Sequence, residues 1–548
     1  AEPVDAKAAA THYELAGDTR SAHPHALAAA RVAREMLAFD HAVRSIELAL
    51  RCADPGDLAE RDQLELELAN TLIEAGRSAE AAPRLLSLAE RRRGLEALDL
   101  RRRAMEHLLV AGLIDEGTEV MHALLGELDV QIPQQRSLLQ GRVFVELGLL
   151  MMRGPSLQPE VAISAEQRLR LASFVSIGKG LSPYDPDLGA WFFLRAARMA
   201  LGWGVYDDAI RGIAFTSTVL GFVGTEFALE RATRWISAAE QLARARDDEQ
   251  ASAIAGVARG MIDCCTGAWR KALEAFDDAS LALLSLPSSR LEWNVARSGS
   301  LLALMQLGMI HELEGRARTM ALDAQRSGEL ALFMQASLFR ALPALADDDP
   351  ARAFEAIDRC MQSWRHTRFL PQDWTALRFR TLARLYVGDD EAALRELDAE
   401  LPRAREAKVL SLQVLRVEAA DLRGRCALAV ARSESGARRA ELLRQVGHEA
   451  DALEREGCAH ARAAASLLRA GVAFARGHVQ SATTALEYAR SRFEAADMPL
   501  HASVARWHIA QLKADPEEQR RAEALMRELG VERPAAWAAM HVSLKPPR

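Results

Sequence analysis

Apolar residues return at helical spacing along almost the whole chain. The pattern is broken at regular places by a glycine that a small or apolar residue follows five positions later. In "ELANTLIEAGRSAEAAPRLL" Gly76 precedes Ala81, and in "EHLLVAGLIDEGTEVMHALL" Gly112 precedes Gly117. Gly204 precedes Ala209, Gly267 precedes Ala272, Gly388 precedes Ala393 and Gly477 precedes Ala482, each on a helical background. Weaker copies place Leu313 after Gly308 and Ala353 after Asp348. A lone glycine inside a helix costs about 1 kcal/mol against alanine, but one that recurs at a fixed offset is a rule of construction. Glycine at the position just past a helix takes the left-handed conformation without a Cβ clash. A short turn follows. The next helix must then present a small side chain first, because the two axes are closest beside the turn. An apolar residue one helical turn later, as at Leu85, Phe276 and Leu486, completes the unit.

Helix, glycine, tight turn, alanine, helix is the pattern of the tetratricopeptide (TPR) repeat. Gly76 to Gly112 spans 36 residues, and Gly267, Gly308, Asp348 and Gly388 follow one another at 40 or 41. The ideal period is ~34, so the helices are long and the repeats degenerate. The predicted fold is all-α: a TPR-like α-solenoid of antiparallel helix pairs, roughly 24–28 helices forming a right-handed superhelix, each pair buried by its neighbours. Pro83 sits deep in the second helix of its pair and is expected to kink it. "VLSLQVLRVEAADLRGRCALAVARSESGARRAELLRQVGHEADALEREG" reads as two long helices around "SESG".

Prolines 133, 155, 159, 183 and 186 interrupt the pattern, leaving room for helices over about 135–153 and 164–181. Long loops often carry function, though a change of superhelix direction explains them as well. The expected segments are 1–130 (N-terminal helical repeats), 131–203 (divergent, Pro-rich loops), 204–405 (TPR-like repeats) and 406–548 (C-terminal repeats and cap). The final helices are expected near 500–530, with the polar "KPPR" covering the last face.

Composition supports the all-α reading. The 548 residues are 49% hydrophobic and 26% charged with only 5% aromatics, which favours helix formers over strand formers. A net charge of −7 argues against a general nucleic-acid binder. No run is apolar and long enough to cross a membrane. The opening "AEPVDAKAAATHYELAGD" lacks the basic and apolar regions of a signal peptide. The six cysteines form no C-x-x-C, which suits a reducing cytoplasm and gives neither a disulfide framework nor a zinc site.

Chemistry is sparse. The nearest approach to a phosphate-cradling Walker A loop is "SIGKGLS" at 176–182, but Ser173 stands where the first glycine belongs and Gly180 replaces Ser/Thr. Kinase signatures, a nucleophile elbow and a zinc helix are missing from the sequence. The arginine runs 91–93 and 101–103 read as helix surface. His23 and His25 around Pro24 read as a helix start with proline near its first position, and "DDDPARAF" as an N-cap at Asp349 with Pro350 after it. Cys264 and Cys265 read as small hydrophobes at a helix interface. No catalytic, cofactor-binding or metal-ligating residue is expected.

Several stretches carry a family resemblance: "LAFDHAVRSIELAL", "LANTLIEAGRSAEAA", "LDLRRRAMEHLLVAGLIDEGTEVMHALLGELDVQIP" and "GKGLSPYDPDLGAWFFLRAARMALGWG". Over about residues 8–225 the chain resembles the C-terminal helical region of large bacterial serine/threonine kinases that carry a STAND-type ATPase. The resemblance implies kinase and ATPase modules N-terminal to this region. It also implies a non-enzymatic sensor or scaffold role: a protein or peptide ligand in a concave groove, the upstream modules as partners, and neither nucleic acid nor membrane. Two other readings stay open, a standalone TPR scaffold and an enzyme with its site in the 130–190 insertions. Counting back from the elbow glycines places Asn70, Trp191, Arg198, Met261, Gln306, Arg378, Tyr386 and Phe474 on the concave face. Arg198 and Arg378 are expected to meet an acidic partner in a solvent-filled channel.

Overall fold

The structure is a computed structural model describing residues 5–36, 38–284, 286, 289–364 and 369–544. These residues form twenty-eight α-helices and a short 3-10 turn, Val409–Ser411, with no strand among them. Successive helices pack on one another in antiparallel pairs, giving an all-α TPR-like solenoid.

All eight elbows fall where the pattern places them. The seven glycines have φ between +73° and +83°, and Asp348 has φ +56°. At Gly267 the closing geometry is complete: its N–H donates to the Cys264 carbonyl at 3.2 Å and the Ala268 N–H to the Asp263 carbonyl at 2.9 Å, the double bond of a Schellman ending. The small residues five positions on, Ala81, Ala209, Ala272, Ala353, Ala393 and Ala482, are wholly buried. Aspartates at positive φ end further helices at Asp129, Asp247 and Asp497. The glycine pattern does not reveal these, because it keys on a missing Cβ, whereas aspartate is one of the few residues with a side chain that enters the left-handed region readily.

Contacts divide the chain into two compact units. The first comprises Ala1–Leu149, Gln158–Val205 and Asp323–Ala331; the second comprises Leu150–Leu157, Tyr206–Leu322 and Leu332–Arg548. The helices of the divergent stretch are Arg136–Arg153 and Ala165–Leu181, close to expectation. Residues 158–161 lie along the elbow at Gly204, where Gln158 N–H and Val161 N–H donate to the Leu201 and Trp203 carbonyls at 3.2 and 3.0 Å. A Cβ on Gly204 would stand 2.5 Å from the Glu160 Cα. "SIGKGLS" is the buried end of a helix rather than a loop. A Cβ on Gly178 would come within 2.6 Å of the Phe193 ring, and one on Gly180 within 2.6 Å of Leu109. These glycines serve close helix packing.

In the second unit the chain winds back onto itself. Gln413 donates to the Gly224 carbonyl at 3.5 Å, and Arg416 to the Val223 carbonyl at 3.2 Å. His460 stands over the elbow at Gly267 and Leu500 over that at Gly308, each 2.7 Å from where a Cβ would be. The Glu532 N–H donates to the Ala346 carbonyl at 2.8 Å, and Arg270 pairs with Asp497. A seam of elbows therefore carries the helix starts of a later turn. Within the earlier turn Phe276, the apolar residue of its hairpin, is fully buried between Gly260 and Gly299, on either of which a Cβ would strike its ring.

Two expectations need correction or completion. Pro24 lies inside the helix Thr19–Glu35, whose N-cap is Asp18, and not near its start; the local helix begins five residues earlier because Asp18 caps it. The last helix, Pro534–His541, lies beyond the expected 500–530, and "KPPR" lies outside the described residues. The helical stretch before Asp348 breaks between Leu330–Phe339 and Ala341–Ala346, since Pro343 has no N–H for the Phe339 carbonyl. Asp349 does cap Pro350–Ser363, with Pro350 first, and Pro83 is accommodated within Ser78–Arg91.

Gly267 and Gly388 share φ +81°, yet a Cβ at Gly388 meets nothing within 4 Å. Alanine at either pays about 1–2 kcal/mol for the left-handed backbone, but only Gly267→Ala also strikes His460. Thermal melts should show Gly267→Ala clearly less stable than Gly388→Ala; equal melting temperatures would remove the seam from the account.

Candidate functional site

The eight groove positions divide between the units. In the first, Asn70 accepts from Arg103, and Arg198 pairs with Glu146 at 2.8 Å with its side chain 40% exposed. Trp191 is buried, its ring 4.9 Å from Phe192 and under the Arg195 guanidinium at 5.0 Å. Nearby helices close a polar cluster: Ser176 donates to Glu106 at 2.5 Å, and Arg102 reaches both Glu106 and Ser176. Burial would raise the Glu106 carboxyl, but Lys179 and Arg102 outweigh it and hold it below its ordinary range. The arginine runs are engaged: Arg91 and Arg92 meet Asp62, and Arg101 meets Glu127. His23 bonds Glu60 and the Ala49 carbonyl. Among the described residues no group of three or more His, Cys, Asp or Glu could hold a metal ion.

In the second unit Met261, Gln306 and Phe474 are half-buried. Arg378 corrects the expectation of a solvent-filled channel. It is 4% exposed, bonded to Glu418 at 2.5 Å, and its guanidinium lies 4.3 and 5.0 Å from the rings of Phe379 and Phe339. Glu418 also accepts from the Trp374 indole at 3.0 Å. Tyr386 is buried too and donates to Asp348 at 2.7 Å; burial and that acceptor raise its hydroxyl pKa. The physical reason is the winding of the unit, which folds later helices over the face that a single open turn would expose. Arg425, paired with Asp421 at 2.5 Å, lies on the helix Gln413–Val430 that also carries Glu418. The unit also holds His460, His508 and His541, all buried, and His501, half-buried with its Nδ1 enclosed. Desolvation lowers three of these imidazoles to about 4, 3 and 4 for His460, His501 and His508, and His541 well below its ordinary value, with Arg425 adding to the effect on His501 and His541.

An open recess lies elsewhere in this unit. The helices Trp269–Leu283, Arg290–Leu307 and Ile310–Ser327 enclose a groove of about 470 Å³. Leu301 and Met320 form its floor, and Leu281, 76% exposed, and Leu284 stand on its rim. Opposite them is Trp293, with the guanidinium groups of Arg290 and Arg297 at 4.6 and 4.2 Å from its ring. Arg316, bonded to Asp277 at 2.9 Å, closes one end. An apolar trough with tryptophan and arginine has the composition of binding hot spots. Counting from elbow glycines missed it because these residues lie on the outer side of the count. The available signal was Leu281 and Leu284 at a helix end beside a tryptophan flanked by arginines.

No protein-family model matches the chain, and no curated protein sequence does. Solved structures align over nearly its whole length with little agreement in detail. The crystal structure of yeast Tom70 is 13% identical and covers 92% of this chain and 98% of its own, with a TM-score of 0.28. The APC/C hetero-tetramer Cut9–Hcn1 is 12% identical, covering 95% and 98%, with a TM-score of 0.29. A circular tandem repeat protein with a novel repeat topology is 14% identical, covering 96% of each, with a TM-score of 0.13. The repeat assignment rests on the helix pairs themselves.

Two outcomes separate the arginines. Arg378→Glu sets a second buried carboxylate against Glu418 and should cost about 3–5 kcal/mol, whereas Arg198→Glu should leave the urea midpoint within about 1 kcal/mol of wild type. Denaturant melts of the two variants decide it. The histidines set a pH dependence. Their folded pKa values are depressed, so the unfolded chain binds the extra protons. Stability is complete above pH 6.5 and falls as pH drops toward about 4, by on the order of 1–2 kcal/mol per imidazole at pH 5. Urea melts at pH 7.5 and 5 should show this loss, and His508→Gln should reduce it.

Proposed function

We propose that the chain is a non-enzymatic protein- or peptide-binding arm of a bacterial signal-transduction protein, regulating kinase and ATPase modules upstream of it. The observation that carries the binding role is the trough around Trp293: an apolar floor, exposed leucines on its rim and a tryptophan with two guanidinium groups over its ring. Such a site takes an apolar side chain as an anchor, and the arginines favour carboxylates beside it. The helical resemblance over residues 8–225 supports the kinase–ATPase setting. The polar clusters at Glu106 and Arg378 are internally paired, which is the arrangement of structural ion pairs.

Selection of random displayed peptides on the purified chain tests the binding role. Enriched sequences should pair an aromatic or aliphatic anchor with Asp or Glu. Trp293→Ala or Leu281→Asp should weaken them at least tenfold, about 1.4 kcal/mol. Enrichment that both variants retain in full would move the site elsewhere. Reading the coding sequence upstream of Ala1 for nucleotide-binding motifs tests the signalling context.

A further inference from the structure

The segment from Pro534 to Leu544 is seated inside the second unit, against helices far from it in sequence. Its helix, Pro534–His541, packs on Pro371–Val387 and Pro499–Leu512 as well as on its neighbour Pro516–Glu528. Trp537, Met540, His541, Val542, Ser543 and Leu544 are each no more than 5% exposed. Arg533 reaches Asp348 at 3.5 Å at the entrance, and the His541 ring lies 5.0 Å from that of His501. These receiving helices are the ones that carry Arg378, His501 and His508, the inner face on which a TPR-like groove binds its ligand.

The fit is good for apolar groups and poor for polar ones. Trp537 Nε1, both ring nitrogens of His541 and the Ser543 hydroxyl are buried without a hydrogen-bond partner. So are His501 Nδ1 on the receiving side and, on the helix Gln413–Val430, Arg425 Nε and Asp421 Oδ1, where Arg425 is near enough to act on the His541 ring. Between the two sides His508 Nε2 meets the Ala538 carbonyl at 3.3 Å. A buried polar group left unpaired is costly, so this occupant fills the face without satisfying it.

We infer that Pro534–Leu544 is an exchangeable occupant of the inner face, held there until a partner segment replaces it. The replacing segment is a short helix of a partner protein, with an aromatic residue in the place of Trp537 and a carboxylate four positions later. That carboxylate would accept from Arg425 Nε and the imidazole nitrogens that His541 leaves unpaired. The inference rests on the binding-arm reading but concerns a different face from the Trp293 trough, so peptide selection on that trough can fail or succeed independently.

The test uses the full chain and two labelled synthetic peptides, residues 531–548 in native sequence and the same peptide carrying His541→Glu. Wild-type protein should bind both weakly, because its own segment competes. Trp537→Ala protein, whose segment has lost its anchor, should bind the native peptide at least tenfold more tightly than wild type does, and the His541→Glu peptide more tightly again. A chain ending at Arg533 provides a second receptor with the face vacant and should behave like Trp537→Ala. Equal affinity of the peptides for wild type and either variant overturns the inference, as does a His541→Glu peptide that binds no better than the native one. Loss of the cooperative melt in both variants overturns it too, since the segment would then be indispensable core.

Discussion

The left-handed residue that ends each first helix is the constraint on which the rest of this structure depends. It reverses the chain within two residues, returns two hydrogen bonds to the helix it closes, and brings the next helix so near that only alanine, glycine or a well-packed leucine fits five positions later. Each hairpin made this way has one apolar face too large to leave in water and too small to form a core. Stacking on the next hairpin is the outcome. In the second unit the elbow has a further duty, because a helix start from a later turn lies directly on it. At Gly224, Gly267 and Gly308 the missing Cβ therefore serves two neighbours at once.

How far the sequence discloses this depends on the range of each interaction. Elbows, capping at Asp349 and the two helices of the Pro-rich stretch are local events, encoded within a few residues, and their places could be read from spacing. Asp129, Asp247 and Asp497 escaped because aspartate reaches the same backbone by other means. The burial of Arg378 and Tyr386 escaped for a different reason: it is imposed by Glu418 and by the winding of the unit, which no window of sequence around either residue contains. The helix at Pro534 belongs to this second class. "PAAWAAMH" is nearly featureless as a pattern, and its surroundings come from helices more than 20 and more than 140 residues away.

The same distinction orders the charged residues. Arginines that look available in a linear reading are mostly engaged: Arg102 and Glu106 within one helix, Arg103 on Asn70, Arg378 on Glu418. Around Trp293 two guanidinium groups lie over an aromatic ring beside exposed leucines. Surface-exposed apolar side chains next to such a ring are costly to keep unless something covers them.

The seam in the second unit also changes how this chain acquires its structure. An open solenoid is quasi-one-dimensional: each repeat leans only on its neighbours, and folding can start anywhere and spread. Here Gly224 waits for Gln413, Gly267 for His460 and Gly308 for Leu500, so the earlier elbows are completed only after a long stretch of later chain exists. Closing such loops is slow because their entropy is lost before the contact is gained. A ribosome-bound chain therefore carries its first elbows uncovered for the time needed to make some two hundred residues at about 5–20 residues per second. The glycine row that gives the finished unit its stacking is, during synthesis, its most extended unpaired surface.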